Sequence, residues 1–183
     1  MKIIKTPIEG VFLIYPRILG DERGRFARTF CKKEFAEAGI HESFVQFNHS
    51  LNFKKGTIRG MHFQHPPFAE SKLIRCVQGS VTDVAVDIRM GSPTFLQHFS
   101  IELTAENMIS ILIPAGCAHG FQAMEDNTAL IYHHSEYYTP QADAGFRYND
   151  PALNIRWELP AVNVSEKDKN YILIDKQFKG IKI

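Results

Sequence analysis

Several short segments of the sequence carry side chains that can transfer protons or stabilise negative charge. They are Arg59, His62 and Gln64 in TIRGMHFQ, Lys72 at the start of KLIRCV, His119 in IPAGCAHGF, and Tyr132 in ALIYHHSEYY. An imidazole takes up a proton near neutral pH, and a fixed ammonium group stabilises a developing anion. These side chains are too many and too varied for a barrel that only stores a ligand.

Each of these side chains also has a purely structural interpretation. A single strand histidine such as His62 is more often hydrogen-bonded structure than chemistry, and Lys72 can be a solvated strand end. Tyr132 can be a barrel aromatic with its hydroxyl at the rim. Asp168 follows Ser165 by the spacing of a capping box, so the local sequence alone favours a helix cap.

The spacing of Arg59 and His62 bears on whether they act together. Side chains three residues apart in a regular strand point to opposite faces. A bulge at Gly60 would bring both to one face, because a bulge adds one residue to its strand and glycine is often found there.

The segments that must position these residues are short strands separated by turns, which predicts an all-β sandwich or barrel in one domain over residues 1–183. KLIRCV and SVTDVAVDIR flank Gly79 and predict a hairpin, and VFLIYPRIL is an apolar run ending at GDERG. Alternation assigns faces in three strands. Val84, Val86 and Ile88 lie opposite Asp83, Ala85 and Asp87, and Phe99, Ile101 and Leu103 share one face of a second strand. In ALIYHHSEYY, Tyr132 shares a face with Leu130 and His134.

Two short helices are predicted outside the strands. One is FAEAG within KKEFAEAG, which Gly39 would stop, and the other begins at SEKD.

Composition limits the class of protein. A net charge of +1 over 183 residues, with acids and bases interspersed, argues against nucleic acid or an anionic membrane as partner. Cys31, Cys76 and Cys117 imply no disulfide framework, and the two near strands are expected to be small buried hydrophobes. The apolar stretch before Pro7 is too short for a signal peptide, and no apolar segment is long enough for a membrane span. A soluble cytoplasmic protein is expected.

Taken together, the motifs resemble the dTDP-4-dehydrorhamnose 3,5-epimerase family, the third enzyme of dTDP-L-rhamnose synthesis. The resemblance runs nearly end to end. It is carried by GDERGRF, FVQFNHS, IRGMHFQ, KLIRCVQGSVTDVAVDIR, GSPTF, IPAGCAHGF, YYTP, NDP and SEKD, in that order.

The resemblance implies a fold, a reaction and an assembly. The fold is a cupin jelly-roll barrel with one or two short peripheral helices, and the assembly is a homodimer that exchanges N-terminal strands. The reaction inverts C3, C5 or both in a nucleotide-linked 4-keto-6-deoxyhexose, without metal or cofactor. Such enzymes serve deoxysugar biosynthesis for cell-surface polysaccharide such as lipopolysaccharide O-antigen.

The resemblance also assigns roles to individual residues. His62 resembles the general base, Asp168 the carboxylate that orients it, Tyr132 the general acid, and Lys72 the cation facing the enolate oxygen. Tyr138 matches the residue that stacks on the nucleotide base, and Arg23 would reach the diphosphate from the partner subunit, on a strand shared with Phe26. Other substrate-contacting positions match Arg59, His119, Gln46, Asn48 and Lys167.

This chemistry explains why these residue types are needed. A proton next to a ketone leaves only if the enolate charge is met by a preorganised cation, which Lys72 would supply. Histidine suits the base because its pKa lies near neutrality. Inversion then requires a proton from the other face, and Tyr132 would donate it.

Three positions depart from the family pattern. Arg28 and Asp143 stand where glutamate is usual, and Tyr148 stands where tryptophan is usual. An arginine cannot accept from thymine N3–H but can donate to cytosine N3 and O2. Arg28 therefore leaves open whether the base is thymine or cytosine, although its side chain could instead reach solvent or a diphosphate oxygen. The other two departures leave open whether both carbon centres are inverted.

Other classes of protein remain as alternatives. A metal-dependent cupin such as a dioxygenase needs about three histidines and a carboxylate at one ion, whereas Gln64 stands where a second ligand would follow His62, and Lys72 is nearby. A non-catalytic binder would not need the full set of His62, Asp168, Tyr132 and Lys72. Within the family, a 3-epimerase acting on a CDP-linked sugar or a keto-isomerase is the alternative.

Overall fold

The computed structural model describes residues 1–183 and consists mainly of strands. The strands are β1 (Lys2–Lys5), β2 (Phe12–Tyr15), β3 (Ile18–Asp21), β4 (Gly24–Ala27), β5 (Gln46–Asn52), β6 (Ile58–Gln64), β7 (Lys72–Gln78), β8 (Ser80–Asp87), β9 (His98–Thr104), β10 (Ser110–Ile113), β11 (Cys117–Ala123), β12 (Thr128–His134) and β13 (Asp143–Gly145). The two short helices are α1 (Lys32–Glu37) and α2 (Glu166–Asn170). None of the helices is both long and apolar enough to span a bilayer.

Two antiparallel sheets form the barrel. The six-stranded sheet has the order β1-β2-β10-β7-β12-β5, and the five-stranded sheet has the order β13-β6-β11-β8-β9. Strands β3 and β4 pair only with each other, as a separate hairpin. This is the all-β cupin jelly roll with short peripheral helices that the sequence predicted.

The predicted hairpin around Gly79 is wrong. β7 pairs with β10 and β12 in the six-stranded sheet, whereas β8 pairs with β11 and β9 in the five-stranded sheet. Gly79 has a φ of +70°, which glycine adopts readily, and it directs the chain from one sheet to the other. The turn was recognised correctly, but both sheets offer an apolar inner face, so strand alternation could not identify the partner.

The apolar run VFLIYPRIL is also not one element. It divides into β2 and β3 on either side of Pro16 and Arg17. Proline lacks the N–H that a sheet ladder uses, so it ends β2 at this point. The chain then leaves the barrel, and β3 continues as one arm of the exposed hairpin.

The predicted helices are both present. α1 ends before Gly39, whose φ of +79° is left-handed and terminates the helix. α2 begins after Ser165, whose hydroxyl oxygen accepts a hydrogen bond from the Asp168 backbone N–H at 3.0 Å.

The core lies mainly between the two sheets, and the predicted faces are confirmed. The inner cluster contains Ala85 and Leu103, with Phe99 and Ile101 packed against it. Val84, Val86 and Ile88 belong instead to a second cluster that includes Phe146, Leu153 and Ile181. Cys76 and Cys117 are buried in the inner cluster as free thiols, as predicted.

Candidate active site

A polar cavity of about 270 Å³ opens between the two sheets. Nine of the residues selected from the sequence line it: Asn48, Arg59, His62, Gln64, Lys72, His119, Tyr132, Tyr138 and Asp143. The remaining walls are His49, Ser50, Phe63, Glu70, Phe121 and His134. The cavity adjoins the inner apolar cluster, to which Phe121 and Tyr132 also belong.

A bulge in β6 places Arg59 and His62 in the same cavity. His62 is opposite His119 on β11, but Arg59 is opposite Phe121, so three steps on β6 match two on β11. The extra residue lies at Gly60 and Met61, as the sequence predicted. Gly60 has a φ of +128°, and a Cβ there would lie 2.5 Å from the Gly120 Cα. The bulge therefore requires glycine on both grounds.

Replacing Gly60 by alanine is expected to destabilise the protein by roughly 2–5 kcal/mol, the sum of an unfavourable φ and a backbone clash. Gly24→Ala is the matched control, because Gly24 has a φ of +129° but nothing lies within 4 Å of where its Cβ would be. The control isolates the φ cost, expected to be about 1–2 kcal/mol. Urea unfolding of both variants measures the difference, and equal losses would contradict the close approach at Gly60.

His62 is paired with a buried carboxylate. Its Nε2 lies 2.8 Å from the Asp168 Oδ1, and the other carboxylate oxygen accepts from the Gly60 N–H at 3.2 Å. The His62 side chain is 35% exposed and that of Asp168 only 4%. With Nε2 held by Asp168, Nδ1 is the ring nitrogen left for proton transfer.

The electrostatics of Asp168 favour its ionised form. Burial raises the pKa of this carboxyl. The hydrogen bond and the charge of His62 lower it, as does the hydrogen bond from the Gly60 N–H. Together these contacts outweigh burial and leave the pKa below its usual value. The helix-cap interpretation is therefore half correct. The Asp168 backbone takes part in the cap, while its side chain turns to His62.

Tyr132 reaches the cavity from the opposite sheet. It lies on β12, and its hydroxyl is 3.3 Å from the Ser50 Oγ on β5. Its ring stacks with that of His134 at a centroid distance of 6.0 Å, which confirms the predicted shared face. Burial raises the pKa of Tyr132, partly offset by the Ser50 bond. The phenol therefore stays protonated near neutral pH and can donate.

Lys72 is buried in the cavity wall beside a carboxylate. Its Nζ lies 2.7 Å from the Glu70 Oε1 and 3.3 Å from the His62 backbone carbonyl, to which it donates. The Lys72 side chain is 7% exposed and the Glu70 side chain is 5% exposed. The interpretation of Lys72 as a solvated strand end is therefore wrong.

A second histidine–carboxylate pair lies deeper, on the same sheet as His62. The His119 Nε2 is 2.9 Å from the Asp83 Oδ2, and both residues are buried. Arg59 is held nearby, since its Nε donates to the Asn52 Oδ1 at 2.7 Å. These contacts fix two polar side chains that face the cavity.

Residues at the cavity mouth form a connected group. The Tyr138 hydroxyl donates to the Asp143 Oδ2 at 3.2 Å, and Lys167 pairs with the same carboxylate. The Tyr138 backbone N–H donates to Gln46, whose amide donates to Asn48. Gln46 and Lys167 thus contact the lining without belonging to it.

Arg23, Phe26 and Arg28 lie outside the cavity of their own chain. Phe26 lies on β4 and Arg28 follows it, but Arg23 is in the turn between β3 and β4, so the prediction that it shares a strand with Phe26 is wrong. Arg23 pairs there with Asp21 at 2.6 Å. Arg28 pairs with Glu34 at 2.8 Å. Within one chain, the structure does not bring these three residues to the other predicted site residues.

Polar residues that were not selected from the sequence include Ser50, Glu70 and His134 in the cavity wall and Asp83 behind it. Asp83 offered a signal, because an acidic residue at the inner face of an apolar strand needs a buried partner. Burial and then Lys72 lower the pKa of His134 to about 4, so its neutral Nε2 can accept from the Asn48 amide at 3.3 Å.

No group of three or more histidine, cysteine, aspartate or glutamate side chains is placed to hold a metal ion.

An imidazole backed by a buried carboxylate, with a phenol on the facing sheet, suits an enzyme that moves protons on two sides of one substrate. Removing a proton from one face of a carbon and returning one to the other face is the chemistry of an epimerase.

Comparison with known proteins identifies the family. The family model described as dTDP-4-dehydrorhamnose 3,5-epimerase matches residues 5–176. An enzyme of that name from Shigella flexneri is 43% identical over 171 residues, 93% of this chain and 94% of that protein. The chain therefore belongs to the dTDP-4-dehydrorhamnose 3,5-epimerase family and is an isomerase.

Two solved structures agree with this assignment. The dTDP-4-dehydrorhamnose 3,5-epimerase of Bacillus anthracis, with TDP and PPi bound, has a TM-score of 0.92 at 41% identity, covering 94% of this chain and 99% of that one. The dTDP-6-deoxy-D-glucose-3,5-epimerase of Legionella pneumophila, in complex with dTDP-4-keto-L-rhamnose, has a TM-score of 0.91 at 40% identity, covering 100% of this chain and 98% of that one.

Proposed function

We propose that the enzyme inverts C3 and C5 of dTDP-4-dehydro-6-deoxy-D-glucose through enolate intermediates. Both carbons flank the C4 ketone, so their protons are acidified by the same carbonyl group. The reaction redistributes protons and requires no change in oxidation state of the substrate. We place it in the cytoplasm, in deoxysugar synthesis for cell-surface polysaccharide.

His62 removes the proton as the general base. Its Nε2 proton is held by Asp168, so Nδ1 receives the substrate proton and the ring becomes an imidazolium. The ionised Asp168 stabilises that cation, because the carboxylate lies 2.8 Å from the ring nitrogen. As the proton leaves carbon, negative charge develops on the C4 oxygen, and the Lys72 ammonium is the buried cation available to meet it.

Tyr132 returns a proton on the other face of the sugar. It stands on the sheet opposite His62, and its phenol is protonated near neutral pH. Arg59, His119, Asn48 and Gln46 would hold the sugar and phosphates, while Tyr138, Asp143 and Lys167 would form the nucleotide end of the site.

The observation that carries this proposal is the placement of the His62–Asp168 pair and Tyr132 on opposing sheets of one cavity. The test is incubation in D₂O with the dTDP- and CDP-linked 4-keto-6-deoxyglucose separately, followed by NMR mapping of deuterium at C3 and C5. Incorporation at both positions with net inversion is expected. Failure to exchange either proton would refute the function.

Thymidine is the proposed nucleoside. It is supported by the ion pair of Arg28 with Glu34 at 2.8 Å, because an arginine held by this carboxylate is not directed at a cytosine edge. We expect dTDP to outcompete CDP, and Arg28→Glu to leave that preference unchanged within about twofold. Arg25→Glu is the matched control, because Arg25 lies on the same hairpin and pairs with Glu106. Competition binding measures both. If Arg28 instead faced a cytosine edge, the native protein would favour CDP by about ten- to a hundredfold, and Arg28→Glu would abolish the preference.

A homodimer is proposed, with the partner subunit completing each active site. The support is the exposed β3–β4 hairpin, on which Phe26 is 71% exposed although it is a large apolar side chain. Light scattering at micromolar concentration is expected to give twice the mass of 20.9 kDa. Phe26→Ser should weaken nucleotide binding, whereas Met90→Ser, at another exposed apolar residue, should not. A fully active monomer would contradict the exchange of N-terminal segments.

A further inference from the structure

Glu70 is a buried carboxylate in the cavity wall that the proposed mechanism does not use. One oxygen, Oε1, lies 2.7 Å from the Lys72 Nζ. The other oxygen, Oε2, is withdrawn from solvent and has no hydrogen-bond partner in the protein. Burying a carboxylate oxygen without a donor is unfavourable, so the site is incomplete until a donor arrives.

The groups around Glu70 leave this donor to the substrate. Lys72 already binds Oε1 and the His62 carbonyl, and the nearby His134 is neutral with its Nε2 facing Asn48. The Glu70 side chain lines the cavity, and rotation about its final torsion is soft, so either carboxylate oxygen can be presented to a ligand.

The chemistry of the substrate indicates which group this donor is, and this step rests on the proposed function. If the Lys72 ammonium faces the C4 oxygen, the carboxylate 2.7 Å from it lies beside the neighbours of C4. C5 carries a methyl group, which cannot donate, whereas C3 carries a hydroxyl. An ammonium and a carboxylate side by side match the acceptor and donor of an α-hydroxy ketone.

We propose that Glu70 is a substrate-recognition residue whose carboxylate accepts a hydrogen bond from the C3 hydroxyl while it holds Lys72 toward the ketone. A glutamine in its place has one accepting oxygen and one NH₂ donor, so it offers a single accepting atom where the carboxylate offers two, one for Lys72 and one for the hydroxyl. Glu70 thereby selects sugars with a hydroxyl next to the ketone over 3-deoxy sugars.

The test compares Glu70→Gln with the native enzyme on two substrates, dTDP-4-keto-6-deoxyglucose and its 3-deoxy analogue. For the hydroxylated sugar, the variant should lower kcat/KM for α-proton exchange by about tenfold to a hundredfold, the size expected for a hydrogen bond to a charged group. The 3-deoxy sugar has no C3 hydroxyl to bind Glu70, so the same substitution should change its kcat/KM for α-proton exchange by less than about threefold. Binding of dTDP alone reports that the variant is folded.

Glu42→Gln is the matched control, since Glu42 accepts from the neighbouring Ser71 hydroxyl at 2.8 Å but does not line the cavity. It should leave both rates unchanged. Equal losses on both substrates in Glu70→Gln, or no loss on either, would overturn the proposal. Absence of exchange by the native enzyme on dTDP-4-keto-6-deoxyglucose would instead refute the proposed function, so the two failures are distinguishable.

Discussion

Replacing His62 by alanine is expected to lower α-proton exchange by roughly 10²–10⁴-fold or more, the loss typical of removing a general base. The other histidines in the cavity are not placed to substitute, and one of them, His49, lies on β5 in the opposite sheet. His119 is buried against Asp83, and burial and Lys72 hold the pKa of His134 at about 4. Deuterium incorporation at C3 and C5, followed by NMR, measures the loss.

The His62 variant should still fold and bind dTDP, because its side chain is 35% exposed and lines a cavity rather than the core. His65→Ala is the control, since His65 follows β6 directly and is exposed outside the cavity. Its exchange rate should match that of the native enzyme. Exchange at near the native rate in His62→Ala would refute the assignment of the base.

Replacing Tyr132 by phenylalanine is expected to separate exchange from inversion. His62 can still remove the proton and return it to the same face, so deuterium is incorporated within about tenfold of the native rate. Net inversion falls by roughly 10²–10⁴-fold, because no acid remains on the opposite face. Parallel measurement of deuterium content and epimer ratio distinguishes the two processes.

Tyr171→Phe is the matched control for this experiment. The Tyr171 ring packs edge-on against His62 at 5.9 Å, so this phenol lies on the side of the base. Removing its hydroxyl should leave the ratio of inversion to exchange unchanged. Inversion as fast as exchange in Tyr132→Phe would show that another group donates the proton.

Local patterns in the sequence were sufficient for several features of the site. Strand alternation put Tyr132 and His134 on one face, and the three-residue spacing of Arg59 and His62 predicted the bulge at Gly60. These features depend on backbone period and on the conformational freedom of glycine, both of which are local properties.

Features that depend on pairing between distant segments could not be obtained in this way. The turn at Gly79 was found, but which sheet each flanking strand joins depends on partners elsewhere in the chain. Glu70 was missed because a carboxylate near a strand end is usually solvated, and only the folded barrel buries it beside Lys72. The contact of Asp168 with His62 was indicated by the family resemblance, whereas local sequence favoured a helix cap.

The crossing at Gly79 has a consequence for how the protein is made. From β5 onward the chain passes repeatedly between the two sheets, and the six-stranded sheet alone combines segments from Lys2 to His134. Neither sheet can close on a short nascent chain, and pairing between such distant segments is slow. Asp168 reaches His62 across 106 residues. The pair of His62 and Asp168 therefore cannot form until the polypeptide has left the ribosome as far as Asp168, so shorter nascent chains are expected to be inert toward the substrate.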